Sequence, residues 1–292
     1  MQGITIIGPG RLGGALALAL GDAGYAIDAL VYRSRKGLSS LASSITSKPE
    51  LIPASRFVRA ESGIVILSAQ DEDLPGAVEM LRNAAGKPSI VFHTSGSLSS
   101  DILKPLKAAG ASVASLHPLS SVSSWKGDRK WFKGAFFAIE GDVKAQRVGT
   151  QLVRSLGGHP FLIDSSKKPL YHAAAVMTAG HVTALFDIAL ELITKAGLDR
   201  KQGRRVLQPL LTTVAANLAS HDTDAALTGT YARGDEATMH RHLTALRKDA
   251  SSQELDVYLE LALRSISLAE KHGLDPKKVK KLRRAIKLAK DT

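Results

Sequence analysis

Short apolar runs alternate along the first half of the chain with longer stretches whose apolar residues recur every three or four positions. Ile4–Gly8, Ala26–Arg33, Gly63–Ser68, Ser89–Thr94 and Ser112–His117 are rich in β-branched residues and read as strands, with Ala135–Glu140 and His159–Ile163 adding two more. Helical periodicity fills the gaps over Leu12–Ala23, Leu74–Ala84, Leu98–Ala108 and Val143–Leu156. Strands apolar on both faces and separated by helices predict a parallel sheet covered by helices on either side. From Lys167 the texture changes. KKPLYHAAAVMTAGHVTALFDIALELITKAGLD keeps a helical pattern for about thirty residues, with Pro169 in a first-turn position and Gly197 as a stop. Arg204–Ala219, His240–Ala250 and Ser252–His272 continue in the same way. The expected organisation is an α/β domain over residues 1–166 followed by an all-α domain over residues 167–292.

Between the first strand and the first helix stand Gly8, Pro9, Gly10, Arg11, Leu12 and Gly13. A G-x-G-x-x-G that closes a strand and opens a helix is the Rossmann dinucleotide fingerprint: one glycine for the turn, one for approach of the pyrophosphate, one for helix–strand packing. Unpaired amides at the helix N-terminus then face the phosphates. NAD-binding folds place an acid at the end of the second strand to accept from the ribose 2′-hydroxyl. Here that strand ends in Arg33, Ser34, Arg35 and Lys36, and Asp28 comes too early in it. Guanidiniums and a hydroxyl suit a 2′-phosphate, so the expected cofactor is NADP.

Ligands of open α/β sheets lie beyond the carboxyl ends of the strands. That adds Ser68, Ala69 and Gln70 after one strand, and Thr94, Ser95 and Gly96 after another. His93 and His117 also sit at strand ends, as site residues or as histidines that satisfy backbone groups. Lys168 and His172, four apart, share a helix face at the start of the second domain. They are candidates to protonate or polarise a carbonyl oxygen or imine nitrogen, or else form a basic first turn with a core histidine. His240 and His242 point apart on a helix, so no metal site is expected.

Composition narrows the functional classes. With no cysteine, disulfides, cysteine nucleophiles and thiolate metal sites are excluded, which fits a cytoplasmic protein. The chain's start reads as lacking a secretory leader, and no run reaches the roughly 18 consecutive apolar residues of a spanning helix. Net charge is +12, half of it in Asp275–Thr292, where eight Lys or Arg face two Asp. Val279, Leu282, Ile286 and Ala289 recur there at helical spacing, so this tail reads as an amphipathic helix with a solvated basic face. The alternatives are contact with a membrane surface or with nucleic acid, and nucleic acid is the weaker, because no aromatic residue is interleaved.

IGPGRLGGALA, FHTSGSLSSDIL, SLHPLSSV, KPLYHAAAVMTAGHVTAL, QPLLTTVAANL, ALTGTYARGD and HLTAL together resemble one family. It comprises bacterial Rossmann-like proteins with an appended helical domain of unknown function, number 2520. They lie in the 6-phosphogluconate-dehydrogenase-like superfamily, near pyrroline-5-carboxylate and ketopantoate reductases. The resemblance implies an NADP-dependent oxidoreductase acting on a small, anionic carbonyl or imine substrate, and a homodimer. It would put Lys168, Tyr171 and His172 on the substrate side, with Thr228, Gly229, Arg233, Gly234, Asp235 and His242 contributed by later helices and Arg233 gripping a carboxylate. Where these relatives usually carry Ser-Asn the chain has Ala179-Gly180, and where they carry Leu-Thr-Gly-Pro it has Thr230 in place of proline. That departure favours the alternative of a catalytically silent NADP-binding or sensor protein.

Overall fold

The computed structural model describes residues 3–127 and 129–290, and its contacts divide the chain between Gly180 and His181. The division falls one helix beyond the change of texture at 166/167. The first unit runs β1 (Ile4–Ile7), α1 (Arg11–Asp22), β2 (Ile27–Tyr32), α2 (Leu38–Ser43), β3 (Glu50–Pro53), β4 (Ile64–Leu67), α3 (Leu74–Asn83), β5 (Ile90–His93), α4 (Lys104–Ala108), β6 (Ser112–Pro118), β7 (Phe136–Gly141), α5 (Val143–Ser155), β8 (His159–Leu162) and α6 (Lys168–Thr178).

Its sheet has the order β3-β2-β1-β4-β5-β6-β7-β8. The order reverses beside β1, which leaves a crevice outside the carboxyl ends of β1 and β4. Alternate residues feed two cores. Ile4, Ile6, Ile64, Ile66 and Phe92 pack on one face with Leu16 and Leu20, while Ile7, Val65, Leu67 and Val91 pack on the other with Leu74 and Val78. The α/β class stands as expected, with two differences. β7 runs antiparallel to β6, so the sheet is mixed rather than wholly parallel. β3 has no counterpart among the expected strands; it pairs through Tyr32 with Pro53, and an edge position is where a strand tolerates proline.

The expected thirty-residue helix is interrupted. α6 ends at Thr178 and is capped by Ala179, whose backbone (φ −106°, ψ −70°) departs from ideal helical values, and α7 (Gly180–Lys195) begins at the next residue. There follow α8 (Arg200–Ser220), α9 (Thr223–Ala226), α10 (Thr230–Arg233), α11 (Glu236–Asp249), α12 (Ser252–Lys271) and α13 (Pro276–Lys290). α8 and α12 open with reciprocal capping boxes, Asp199 with Gln202 and Ser251 with Glu254. α11, α12 and α13 share a core of Met239, Leu259, Ile266, Leu282 and Ile286. Val279, Leu282, Ile286 and Ala289 are buried as their spacing predicts; the last two tail residues lie outside the described residues. Although polar residues interrupt it, Ser165–Lys195 has the length and composition of a membrane-crossing helix, with mean hydropathy 1.5 over a window only 6% buried.

Candidate functional site

The turn after β1 is shaped by what glycine lacks. Gly8 is left-handed (φ 88°), and a Cβ there would stand 2.8 Å from the Ser68 carbonyl oxygen. A Cβ on Gly13 would overlap the Gly8 carbonyl. Gly10 differs: a Cβ there would meet nothing within 4 Å. It stands at the N-cap of α1 with no side chain capping the helix amides. The turn is thus folded tightly on one side and open on the other, where amides and the positive end of the helix dipole face outward. This cradle fits a dinucleotide pyrophosphate.

The cradle opens into a groove of about 680 Å³. Gly8, Pro9, Gly10 and Arg11 meet Arg33 and Ser34 from the end of β2, and Ser68, Ala69 and Gln70 from the end of β4. The six other expected cofactor residues lie off it. Leu12 packs against the apolar core, Gly13 is buried beneath the turn, and Thr94 and Ser95 are buried at the end of β5, where the Thr94 hydroxyl donates to the Ser68 hydroxyl at 3.3 Å. Gly96 is buried beside them. Arg35 is exposed outside the groove lining. Asp28 lies back along β2 and accepts from the Ser62 hydroxyl at 2.6 Å. The groove's carboxylate among the described residues is Asp73, which holds the Arg33 guanidinium with both oxygens (Nη1–Oδ1 2.6 Å). Lys36 also lines the groove, as do Ser124, Trp125 and Lys126 from the β6–β7 connection, a contribution the strand-end rule does not reach.

A second cavity of the first unit, about 570 Å³, is lined by His117, Ser120, Tyr171, His172 and Ala179. The His117 and His172 rings meet edge to face at 5.5 Å. Gly96 admits no side chain between them, since a Cβ would collide with His172 Nδ1 and lie 2.7 Å from His117 Nε2. Burial raises the Tyr171 phenol to about 12. Burial, reinforced by His172 and Lys168, pushes His117 down to about 4. Tyr171 therefore stays protonated, and its hydroxyl shares a 2.7 Å hydrogen bond with the Nδ1 of a neutral His117. His172 Nδ1 is buried without a hydrogen-bond partner.

Lys168 lies beneath this cavity and not on its wall. It is 0% exposed, and its ammonium donates to the Ser95 carbonyl at 2.9 Å and to the Ser115 hydroxyl, with Glu140 Oε1 at 3.7 Å. Glu140 in turn accepts from the Ser100 amide (2.7 Å) and hydroxyl (2.8 Å). Burial pulls Lys168 down to about 8, with Glu140 opposing. Helical spacing puts residues 168 and 172 on one face, but the first turn of that face is pressed onto the sheet. His93 is likewise fully buried: its Nδ1 accepts from the Ser95 amide at 3.2 Å, and burial, then the Lys168 charge, lowers it to about 3. Arg233 belongs to the second unit, exposed at the end of α10. There His242 Nδ1 stands 2.9 Å from the Tyr258 hydroxyl.

Comparison with known proteins agrees with this architecture. A Rossmann-like domain matches residues 2–118, and the domain of unknown function DUF2520 matches residues 135–265. A candidate NADP oxidoreductase from Bacteroides fragilis is 22% identical with a TM-score of 0.74, over 92% of this chain and 98% of its own. A Thermotoga maritima protein is 24% identical with a TM-score of 0.71, over 92% and 99%. Pyrroline carboxylate reductase from Plasmodium falciparum, solved with NADP bound, is 11% identical with a TM-score of 0.57, over 92% and 96%. A sequence search of curated proteins gave no match.

Proposed function

We propose that this chain, which belongs to the proteins joining a Rossmann-like domain to a DUF2520 domain, is an NADP-dependent reductase of a small carbonyl or imine compound. The observation that carries the reading is the glycine cradle opening into a groove with Arg11, Arg33 and Lys36 on its wall and no acid at the end of β2. Gly10 would face the pyrophosphate of a bound dinucleotide, and Arg33, Ser34 and Lys36 on the groove wall would hold its 2′-phosphate. The reduced nicotinamide, when bound, supplies the hydride. His172 gives the proton to the carbonyl oxygen or imine nitrogen, because it lines the cavity and its Nδ1 has no other commitment. Tyr171 and His117 hold each other and fix the edge against which His172 rests. Lys168 positions α6 from below through Ser95, Ser115 and Glu140.

Calorimetric titration tests the cofactor: NADPH is expected to bind at least about tenfold more tightly than NADH, and equal affinity overturns the assignment. NADPH consumption against a panel of keto acids and cyclic imines tests the chemistry. A second reading, a nucleotide-binding protein without turnover, is favoured by Ala179 and Gly180, which line the cavity without a polar side-chain atom. Tight NADPH binding with no substrate in the panel supports it. The partner we propose for the exposed apolar stripe Val206, Leu210, Val214 and Leu218 of α8 is a second copy of the chain, since a stripe of this kind is self-complementary across a two-fold axis.

A further inference from the structure

The dinucleotide fingerprint needs glycines at 8, 10 and 13; it does not account for Gly14. A Cβ on Gly14 would come within 3.0 Å of Trp125 Cδ1 and 3.1 Å of its Cγ, so the near edge of the indole packs against the first turn of α1. The far edge of the same ring, Cζ2, stands 3.7 Å from where a Cβ on Gly37 would be, at the N-cap of α2. Trp125 also packs on the main core of the sheet. The indole is a fixed post between the glycine turn and the segment carrying Arg33 to Lys36. On it sits Lys126, its ammonium 5.4 Å from the ring centroid, within cation–π range. Lys126, Ser124, Lys36 and Ser34 share the groove wall.

The electrostatics identify what this arrangement suits. Arg33 is already held by Asp73, whereas among the described residues Lys36 and Lys126 form no ion pair. We propose that Lys126, seated on Trp125, is a further cationic ligand for the 2′-phosphate of NADP, so that the β6–β7 connection helps to set the preference for NADP over NAD. The inference rests on reading the groove as an NADP site. The dianionic phosphate is gripped from the β2 side and from the Trp125 side, and a free 2′-hydroxyl gains nothing from Lys126.

Calorimetry on the full chain tests this with readouts independent of turnover. Lys126→Ala is expected to weaken NADPH about tenfold and NADH less than about twofold, with Lys126→Arg restoring most of the loss. The chain has two tryptophans: quenching of tryptophan emission by NADPH is expected to persist in Trp131→Phe and to be lost in Trp125→Phe. If the unmodified chain binds NADPH but Lys126→Ala leaves the NADPH:NADH ratio unchanged, the inference is overturned while the cofactor reading stands. If the unmodified chain binds neither nucleotide, the cofactor reading itself is overturned.

Discussion

In the first unit α1, twelve residues long, buries every position from Gly13 to Leu20, whereas in the second unit α8, with twenty-one residues, buries Gly203 alone. Both helices carry ample apolar side chains, and α8 has them at the spacing of a buried stripe. Yet Leu210 is 61% exposed, and Val206, Val214 and Leu218 are exposed with it. At about 1.5 Å per residue α8 is roughly 30 Å long, so the uncovered stripe is extensive. The contrast separates two meanings of amphipathicity: α1 is covered by its own sheet, whereas the stripe on α8 is left exposed. α11, α12 and α13 of the same unit close their own core, so exposure belongs to particular helices and not to the unit as a whole.

Four changes break or sharpen that contrast. The largest effect is expected from Lys168→Ala, which strands Glu140 and the Ser95 carbonyl in the first unit. Removing one partner of a buried pair costs about 3–5 kcal/mol, read as a lowered midpoint in urea; a loss under about 1 kcal/mol would mean that Lys168 is no internal tie. Next is Gly10→Val. Since the added side chain points into open groove, thermal stability should hold while NADPH affinity drops at least about a hundredfold, or about 2.7 kcal/mol; retained binding would move the pyrophosphate elsewhere. In α8, Leu210→Glu should remove about 2 kcal/mol of apolar association per copy and shift sedimentation toward the monomer without lowering the monomer's own stability. An unchanged sedimentation profile would leave the stripe without the second copy we assign to it.

The smallest effect concerns pH. His93 and His117 bind protons more weakly folded than unfolded, at about 3 and about 4 against 6.5. Their contribution to stability is therefore complete above pH 6.5 and lost as pH falls toward those values. Between pH 7 and roughly 5.5 each should cost the first unit about 1 kcal/mol. His93→Gln and His117→Gln should flatten that slope, and a slope left intact would place its cause elsewhere.

Much of the first unit could be read from the chain, because its strands are apolar on both faces and glycine marks its tightest turn. β3 escaped that reading: ELIP is bracketed by Pro49 and ends at Pro53, and proline-flanked segments read as loops until an edge position makes them tolerable. The antiparallel β7 escaped because apolar content does not encode strand direction. At the site, local order was legible and long-range partnership was not. The turn from Gly8 to Gly13 and the basic end of β2 are contiguous signals. By contrast, the burial of Lys168 depends on Ser95, Ser115 and Glu140, and the place of Trp125 depends on Gly14 and Gly37. Gly14 was the one visible trace, a glycine beyond the three that the fingerprint uses.

The ties made by Lys168 reach back 73 residues to Ser95 and 53 to Ser115. Contacts that close such long loops carry a larger chain-entropy cost, which grows slowly with loop length, and a fold rich in them folds more slowly. The glycine turn, by contrast, needs only β1, β2 and β4. During synthesis from the N-terminus, the cradle for phosphate can take shape while the segment that completes the histidine-lined cavity is still unmade. The Lys168 tie thus closes only once β5, β6 and β7 have all been made, further along the chain than β1, β2 and β4.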